Sequence, residues 1–336
     1  MIRAYPPRRQ LGYLLVATLW LLVLVTVAAT YFAQQVGQAV RQAQRSQDIS
    51  AALAAMESAR AEILFRLGTT ALTVHGLGGD PTLRLALDGQ RYIDDAGVSV
   101  ALQDARGLLN INFPKEFILV RLLSAHGVNA EHHSRLVDTL RDYTDIDDLH
   151  RLNGAEKDEY LRHQLPPPPN DLLVVVEQLP QILGWRDHAH LWQDRAFLDL
   201  LSTSRVEMLN LNTAPEPILA ALPGATPELA SQIVKMRQQQ PLRSFRDVLG
   251  LTDQFGAQQA DWITYYPGQG IRVTIAHPDV PWQHKYEFRL TPNSEVAPWR
   301  VDSYMRLAKP KSDDEKNSIP LPPRQPFISV LDATSL

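Results

Sequence analysis

LGYLLVATLWLLVLVTVAATYFA, residues 11–33, sits in a stretch with no charged side chain between Arg9 and Arg41. A helix needs roughly 20 apolar residues to cross a bilayer core, so residues 13–33 are long enough to span it once. Arg3, Arg8 and Arg9 lie just before the apolar run. Basic residues on that flank hold it in the cytoplasm and place the bulk of the chain on the other side. A secretory signal peptide shares the basic start, but its apolar core is shorter and ends at a small-x-small site, for which Ala28-Ala29 is a weak candidate.

Outward from this stretch, no proline or glycine interrupts residues 13–36, and Gly37 is a single soft spot. The following VRQAQRSQDISAALAAMESARAEILFRL is rich in good helix formers, which predicts that the membrane helix continues on the exported side, in a segment assigned to residues 34–75. Ile49, Leu53, Met56, Ala59, Ile63 and Leu67 recur at helical spacing and form an apolar stripe. A stripe of this kind is a core face or a partner face, and Ile49, Leu53 and Met56 are the candidate partner-binding residues.

The helical pattern stops at Gly68, and Gly76, Gly78, Gly79 and Pro81 predict a loop. GVSVALQDARGLLNINF, residues 97–113, predicts strand, turn, strand. A mostly helical block follows to about residue 262, and strand-like alternation returns at 271–276, 286–290 and 300–307. Strands on both sides of a helical block predict an α+β fold, with one sheet formed by residues 76–108 and 269–308 and a large all-α insertion at 109–268. Residues 309–336 are proline-rich and charged without a period, which predicts disorder.

The insertion carries a repeat. Leu109-Asn110-Ile111-Asn112 is followed by Glu116, Ile118, Leu119 and Leu122, and Leu209-Asn210-Leu211-Asn212 by Glu216, Ile218, Leu219 and Leu222. The two units cover 109–165 and 209–262. Asparagine accepts bonds from free amides at a helix start, so each LNxN is expected to cap the helix after it. The second copy resembles a helix-hairpin-helix unit with the hairpin Leu222-Pro223-Gly224, although Thr226 replaces the usual second glycine. Such hairpins can hold a DNA phosphate, with Arg237, Arg243 and Arg246 as further contacts, or serve packing alone.

Between the copies, RDYTDIDDLHRLNGAEKDEYL places Asp142, Asp145, Asp147 and Asp148 close together, with Glu156 after Asn153-Gly154. Several carboxylates in a turn suit a hard cation such as calcium, and an acidic helix end exposed to water gives the same pattern. The spacing is not that of an EF-hand. Residues 166–169 are four prolines, a stiff segment that fits a loop between the two units and is open as a recognition segment.

Composition restricts the remaining classes. The chain has 336 residues, 45% hydrophobic and 21% charged, which fits a folded protein rather than a disordered one. A net charge of −4 gives no basic footprint for nucleic acid. Without cysteine there is no disulfide, thiolate nucleophile or Cys-based zinc site. His132-His133 and the His188/His190 pair lack HExxH spacing, and neither GxSxG nor a phosphate-binding GxxxxGK[ST] occurs, so no catalytic residues are assigned.

RRQLG followed at once by YLLVATLWLLVL resembles a type IV prepilin leader. That resemblance implies cleavage after Gly12 by a prepilin peptidase, a leader of residues 1–12, and a methylated mature terminus at Tyr13. Most pilins carry glutamate at the fifth mature position, where this chain has Ala17; in the K-type minor pseudopilins of type II secretion systems that glutamate is typically missing. The acidic stretch is similar to their D-W-x-D-x-D-D pattern, with Tyr143 in place of tryptophan, followed by Gly154-Ala155-Glu156 and Tyr160. The resemblance implies a pseudopilin fold, calcium bound in the helical insert, and a single-pass protein of the bacterial inner membrane with its bulk in the periplasm. Its implied partners are the I- and J-type minor pseudopilins, the major pseudopilin and the inner-membrane secretion platform. It also implies a non-enzymatic role in capping and initiating the tip of the pseudopilus, through which folded proteins are exported. A membrane-anchored, competence-type DNA receptor using the helix-hairpin-helix units is the alternative.

Overall fold

A computed structural model describes residues 11–204, 206–244, 246–249, 261–309 and 317–323. The chain divides into two units, residues 1–54 and 55–336, with the boundary inside the first helix, α1 (Leu11–Thr69). In the first unit, α1 is the one helix among the described residues long and apolar enough to cross a membrane, and Tyr13, Leu19, Trp20, Leu24 and Phe32 are all exposed along it. Its threonines are satisfied within the helix. Thr18 donates to the Leu15 carbonyl at 2.9 Å, Thr26 to Leu22 at 3.0 Å and Thr30 to Thr26 at 2.8 Å, so none of these three hydroxyls is left bare on an apolar surface.

In the second unit the end of α1 buries Met56, Ala59, Ile63, Leu64 and Leu67. The expected loop instead holds two short paired strands, β1 (Leu72–Thr73) and β2 (Gly76–Leu77), and then β3 (Asp88–Ile93). β4 (Ser99–Asp104) leads through a tight turn into β5 (Leu109–Asn110). The helical block follows: α2 (Glu116–Ala125), α3 (Ala130–Thr144), α4 (Lys157–Arg162), α5 (His190–Gln193), α6 (Ala196–Asp199), β6 (Leu201–Ser202), β7 (Leu209–Asn210), α7 (Glu216–Ala220), α8 (Pro227–Gln239), α9 (Arg246–Leu249) and β8 (Ile263–Thr264). The chain returns to the sheet with β9 (Gly270–Ala276), β10 (Trp282–Leu290) and β11 (Trp299–Ala308), and ends its described part with β12 (Ile319–Pro320).

The main sheet has six strands in the order β11-β10-β9-β4-β3-β12, all antiparallel except the last pair. Within the tail expected to be disordered, residues 317–323 are instead held in place: Leu321 N–H donates to the Ile93 carbonyl at 2.7 Å, and Arg66 Nη2 donates to the Pro322 carbonyl at 2.7 Å, while 310–316 and 324–336 lie outside the described residues. A proline-rich strand suits an edge, where half of its backbone donors need no sheet partner. Strand alternation gives the sheet two differently occupied faces. Ile271, Val273, Ile275, Tyr286 and Phe288 are buried, and Arg60 of α1 lies over the Tyr286 ring at 5.7 Å. On the other face, Arg272 Nη1 and Nη2 donate to the carbonyls of Asp199 (2.9 Å) and Leu201 (2.6 Å), while Lys285 Nζ meets Asp199 Oδ1 at 2.6 Å. The insert is therefore tied to the sheet by charged hydrogen bonds.

The repeat is structural, and the same positions are buried in both copies: Leu109, Ile111, Ile118, Leu119 and Leu122, then Leu209, Leu211, Ile218, Leu219 and Leu222, none more than 5% exposed. Full burial of such a side chain stabilises by about 1.5–3 kcal/mol. One continuous apolar core contains both sets, so neither copy stands alone as a small domain. Phe117 of the first copy meets Trp262 of the second at 5.6 Å between ring centres.

The asparagines do not cap the helices. Lys115 and Pro215 stand at the starts of α2 and α7, with no capping bond from a side chain. Instead, Asn112 Oδ1 accepts from Leu173 N (2.8 Å) and its Nδ2 donates to Leu173 O (3.0 Å). Asn212 does the same to Leu242, at 2.9 and 2.8 Å. Each amide side chain thus presents a donor and an acceptor to a buried backbone segment distant in sequence, where an unsatisfied group costs about 1–3 kcal/mol. The parallel pairs β5–β6 and β7–β8 close the two copies in the same manner.

Candidate functional site

The acidic residues gather where α3 ends. Asp142 lies in the last turn with no exposed surface, Asp145 is the residue after the helix, and the chain folds back so that Gly154 and Glu156 return to Asp142. Gly154 is required there: a Cβ at that position would sit 1.8 Å from Asp142 Oδ2. Arg151 lies among the carboxylates, with Nε 3.2 Å from Asp142 Oδ1 and Nη2 3.1 Å from Asp145 Oδ2. Asn170 Nδ2 donates to the Asp147 carbonyl and to Asp148 Oδ1, both at 3.0 Å.

Several oxygens in this group are buried without a hydrogen-bond donor: both carboxylate oxygens of Glu156, one each of Asp142 and Asp145, and Oδ1 of Asn170. Burial, followed by the charges of Asp142, Asp145, Asp148 and Asp147, pushes the Glu156 carboxyl up to about 7. Burial likewise raises Asp142, against the bonds and charge of Arg151. Of the sequence candidates, Asp142, Asp145 and Glu156 hold the oxygens without a hydrogen bond; that of Asp142 is Oδ1, which still meets the charge of Arg151, whereas both oxygens of Glu156 lack even that. Asp147 and Asp148 are exposed, and act on Glu156 through their charge. Arg151 and Asn170 complete the arrangement and carry no spacing signal, since only the fold-back brings them in; Gly154 stood in the sequence pattern, but its contact with Asp142 did not.

Among the described residues no group of three or more histidine, aspartate or glutamate side chains is drawn together tightly enough to hold a metal ion. The donors present are all oxygens, the chemistry of a hard cation rather than a transition metal. Glu156 has two unpaired buried oxygens and excess negative charge around it, so the residues fit a cation in kind. As placed, the Arg151 guanidinium supplies the compensating positive charge.

The hairpin of the second copy is not set up for a phosphate. Arg237, a candidate contact, is only 6% exposed and donates to the carbonyls of Leu211 (2.9 Å) and Ala214 (2.6 Å). Thr226 Oγ1 accepts from Leu229 N at the start of α8, and the carboxylate of Glu228 sits in the first turn. An anion meeting that helix start would find a donor already used and a like charge. Arg121 of the first copy reaches the Leu222 carbonyl, so the hairpin faces the protein's own helices. Arg243 and Arg246 are not drawn into the hairpin by any bond among the described residues.

The stripe of α1 divides. Met56 is 1% exposed within the core of the second unit, which removes it as a partner contact; Ile49 and Leu53, in the first unit, are intermediate in exposure. Gly12 and Tyr13 fall in the first turn of α1, where Tyr13 is exposed; residues 1–10 of the expected leader lie outside the described residues. Of the paired histidines, His133 is buried with Nε2 3.1 Å from the Val128 carbonyl, a packing role.

Two family models, both described as type II secretion system (T2SS), protein K, match residues 102–190 and 209–264. The type II secretion system protein K of Dickeya chrysanthemi is 27% identical over 137 residues, 39% of this chain and 37% of that protein, so the match spans little more than a third of the relative's length. A chain in the crystal structure of the GspK–GspI–GspJ complex from the enterotoxigenic Escherichia coli type 2 secretion system has a similar fold, with a TM-score of 0.52 and 17% identity. The superposition covers 80% of this chain and 100% of that one. One protein K model thus falls on each copy of the repeat, so residues 102–190 and 209–264 carry the pattern of the type II secretion system protein K family, and the fold of the sheet and the insert is similar to that of the solved chain.

Proposed function

We propose that the chain is a minor pseudopilin of a type II secretion system, anchored once in the bacterial inner membrane by residues 13–33, with its terminus cytoplasmic and its bulk periplasmic. It joins the I- and J-type minor pseudopilins and caps and initiates the tip of the pseudopilus for export of folded proteins. The role is assembly, not catalysis. The observation that carries this reading is the fold shared with a chain of the GspK–GspI–GspJ complex, in a protein whose apolar first helix is long enough to cross a membrane. A prepilin peptidase cuts after Gly12, Tyr13 becomes the methylated mature terminus, and the major pseudopilin and the inner-membrane platform take up the subunit. Ile49 and Leu53 remain for partner contact once Met56 is assigned to the core. The insert binds calcium through Asp142, Asp145 and Glu156, with Asp147 and Asp148 adding negative charge; the unpaired buried oxygens support this.

The test is co-purification of the full chain with the I and J minor pseudopilins of the same genome. Capture of both, weakened by Ile49→Asp and Leu53→Asp with an unchanged melting temperature, is the expected result. Failure to capture either partner, with the chain folded and inserted, would overturn the reading.

A further inference from the structure

A groove of about 460 Å³ lies where three parts of the second unit meet: the loop between β1 and β3, the edge formed by β3 and β12, and the end of α8 beside the second LNxN segment. It is separate from the acidic loop and from the hairpin, and nothing derived above uses it. Its volume is in the range of about 300–1,000 Å³ common for small-molecule sites, but its lining is unlike a greasy pocket. His75, Arg84, Asp88, Asn212, Arg237 and Gln238 contribute polar groups to it.

Two guanidinium groups stand in this lining. The Arg237 side chain is more than nine-tenths buried, its Nε has no hydrogen-bond partner, and its ion pair with Asp88 is loose at 3.7 Å. Arg84 Nη1 lies 3.0 Å from His75 Nδ1. Burial, then the charges of Arg84 and Arg243, hold the His75 imidazole below its ordinary value, so the ring is neutral at neutral pH. Its Nδ1 then accepts from Arg84 and its Nε2–H is left as a donor. Among the described lining residues Arg84 and Arg237 are the two cations and Asp88 is the one carboxylate, with Glu216 acting on Arg237 from outside the lining. Guanidinium forks match the paired oxygens of carboxylates and phosphates, and a partly buried site strengthens that match.

We propose that this groove binds an oxyanion, the carboxylate or phosphate group of a small soluble molecule, held by Arg84 and Arg237 with His75 as a further donor. Asp88 competes with the ligand for Arg237.

The test is calorimetric titration of the full chain in detergent micelles, in calcium-free buffer at fixed ionic strength, with inorganic phosphate and with succinate as probes. Saturable binding of at least one probe is expected, and which of the two binds distinguishes a phosphate source from a carboxylate source. Arg84→Gln should weaken it about tenfold or more, and Asp88→Asn should tighten it, a direction that loss of structure does not produce. Arg237 is left unchanged because it also holds two backbone carbonyls. A melting curve and circular dichroism spectrum matching the parent check that Arg84→Gln is folded; if it is not, the Asp88→Asn comparison decides. No saturable heat from either probe at roughly millimolar concentration, or equal affinity in the parent and the folded Arg84→Gln variant, would overturn the proposal.

Discussion

Glu156→Gln should stabilise the protein in chelator at pH 8 and destabilise it relative to the parent in calcium. Glu156 has both carboxylate oxygens buried without a donor, and four aspartates act on it through their charge. Its carboxyl is pushed from 4.5 up to about 7, so the folded state holds a proton that the unfolded chain gives up between those values. Stability on this account is present at pH 4.5 and is lost as pH rises through 7; the difference corresponds to up to about 3 kcal/mol at pH 8. An amide keeps the shape and removes the charge, but its own buried polar atoms cost something, so a gain of about 1–2 kcal/mol is expected at pH 8 and none at pH 5. For a chain of this size that is a rise of roughly 2–8 °C in melting temperature. In millimolar calcium the order reverses, because the parent gains RT ln(1 + [L]/Kd), about 2.7 kcal/mol at a hundredfold excess, and the variant loses a ligand. The assay is thermal melting of the full chain in micelles at both pH values, with calcium or chelator. A variant less stable than the parent at pH 8 in chelator, or a difference independent of pH, would refute the electrostatic account; an unchanged order in calcium would refute the cation site alone.

Asn212→Ala removes the donor and acceptor that hold Leu242 and should cost about 2–4 kcal/mol in urea unfolding, while Asn212→Asp should not rescue it, because the Nδ2 donor to Leu242 and Tyr265 is lost. Asp199→Ala leaves Lys285 buried without its partner and should cost about 1–3 kcal/mol, most of it recovered by Lys285→Met in the same chain, as a double-mutant cycle would register. Gly12→Val should leave the precursor uncut, read by mass spectrometry of the mature terminus, and a terminus at Thr30 or later in the parent would instead indicate a secretory signal peptide.

The sequence by itself determined the elements whose cause is local. An uncharged run of membrane length can only be satisfied as a helix in lipid, and the alternation at 271–276, 286–290 and 300–307 is a property of neighbouring residues. The LNxN repeat gave the buried positions of both copies, because helical spacing places Ile118, Leu119 and Leu122, or Ile218, Leu219 and Leu222, on one face whatever they pack against. It did not reveal what the asparagines hold, since Leu173 and Leu242 lie 61 and 30 residues away and nothing local marks them. β3 was hidden for a related reason: Asp88, Gly89, Gln90 and Arg91 have poor strand propensity and are held extended by β4 on one side and β12 on the other. Met56 belonged to the same stripe as Ile49 and Leu53, and periodicity cannot say which part of a stripe the chain covers itself. The acidic residues were legible as a cluster, but the fold-back that brings Gly154 against Asp142, inserts Arg151 between the carboxylates and leaves Glu156 without a donor was not. Charge patterns are written along the chain, whereas burial and the pairing of each oxygen depend on segments that meet only after the chain has folded.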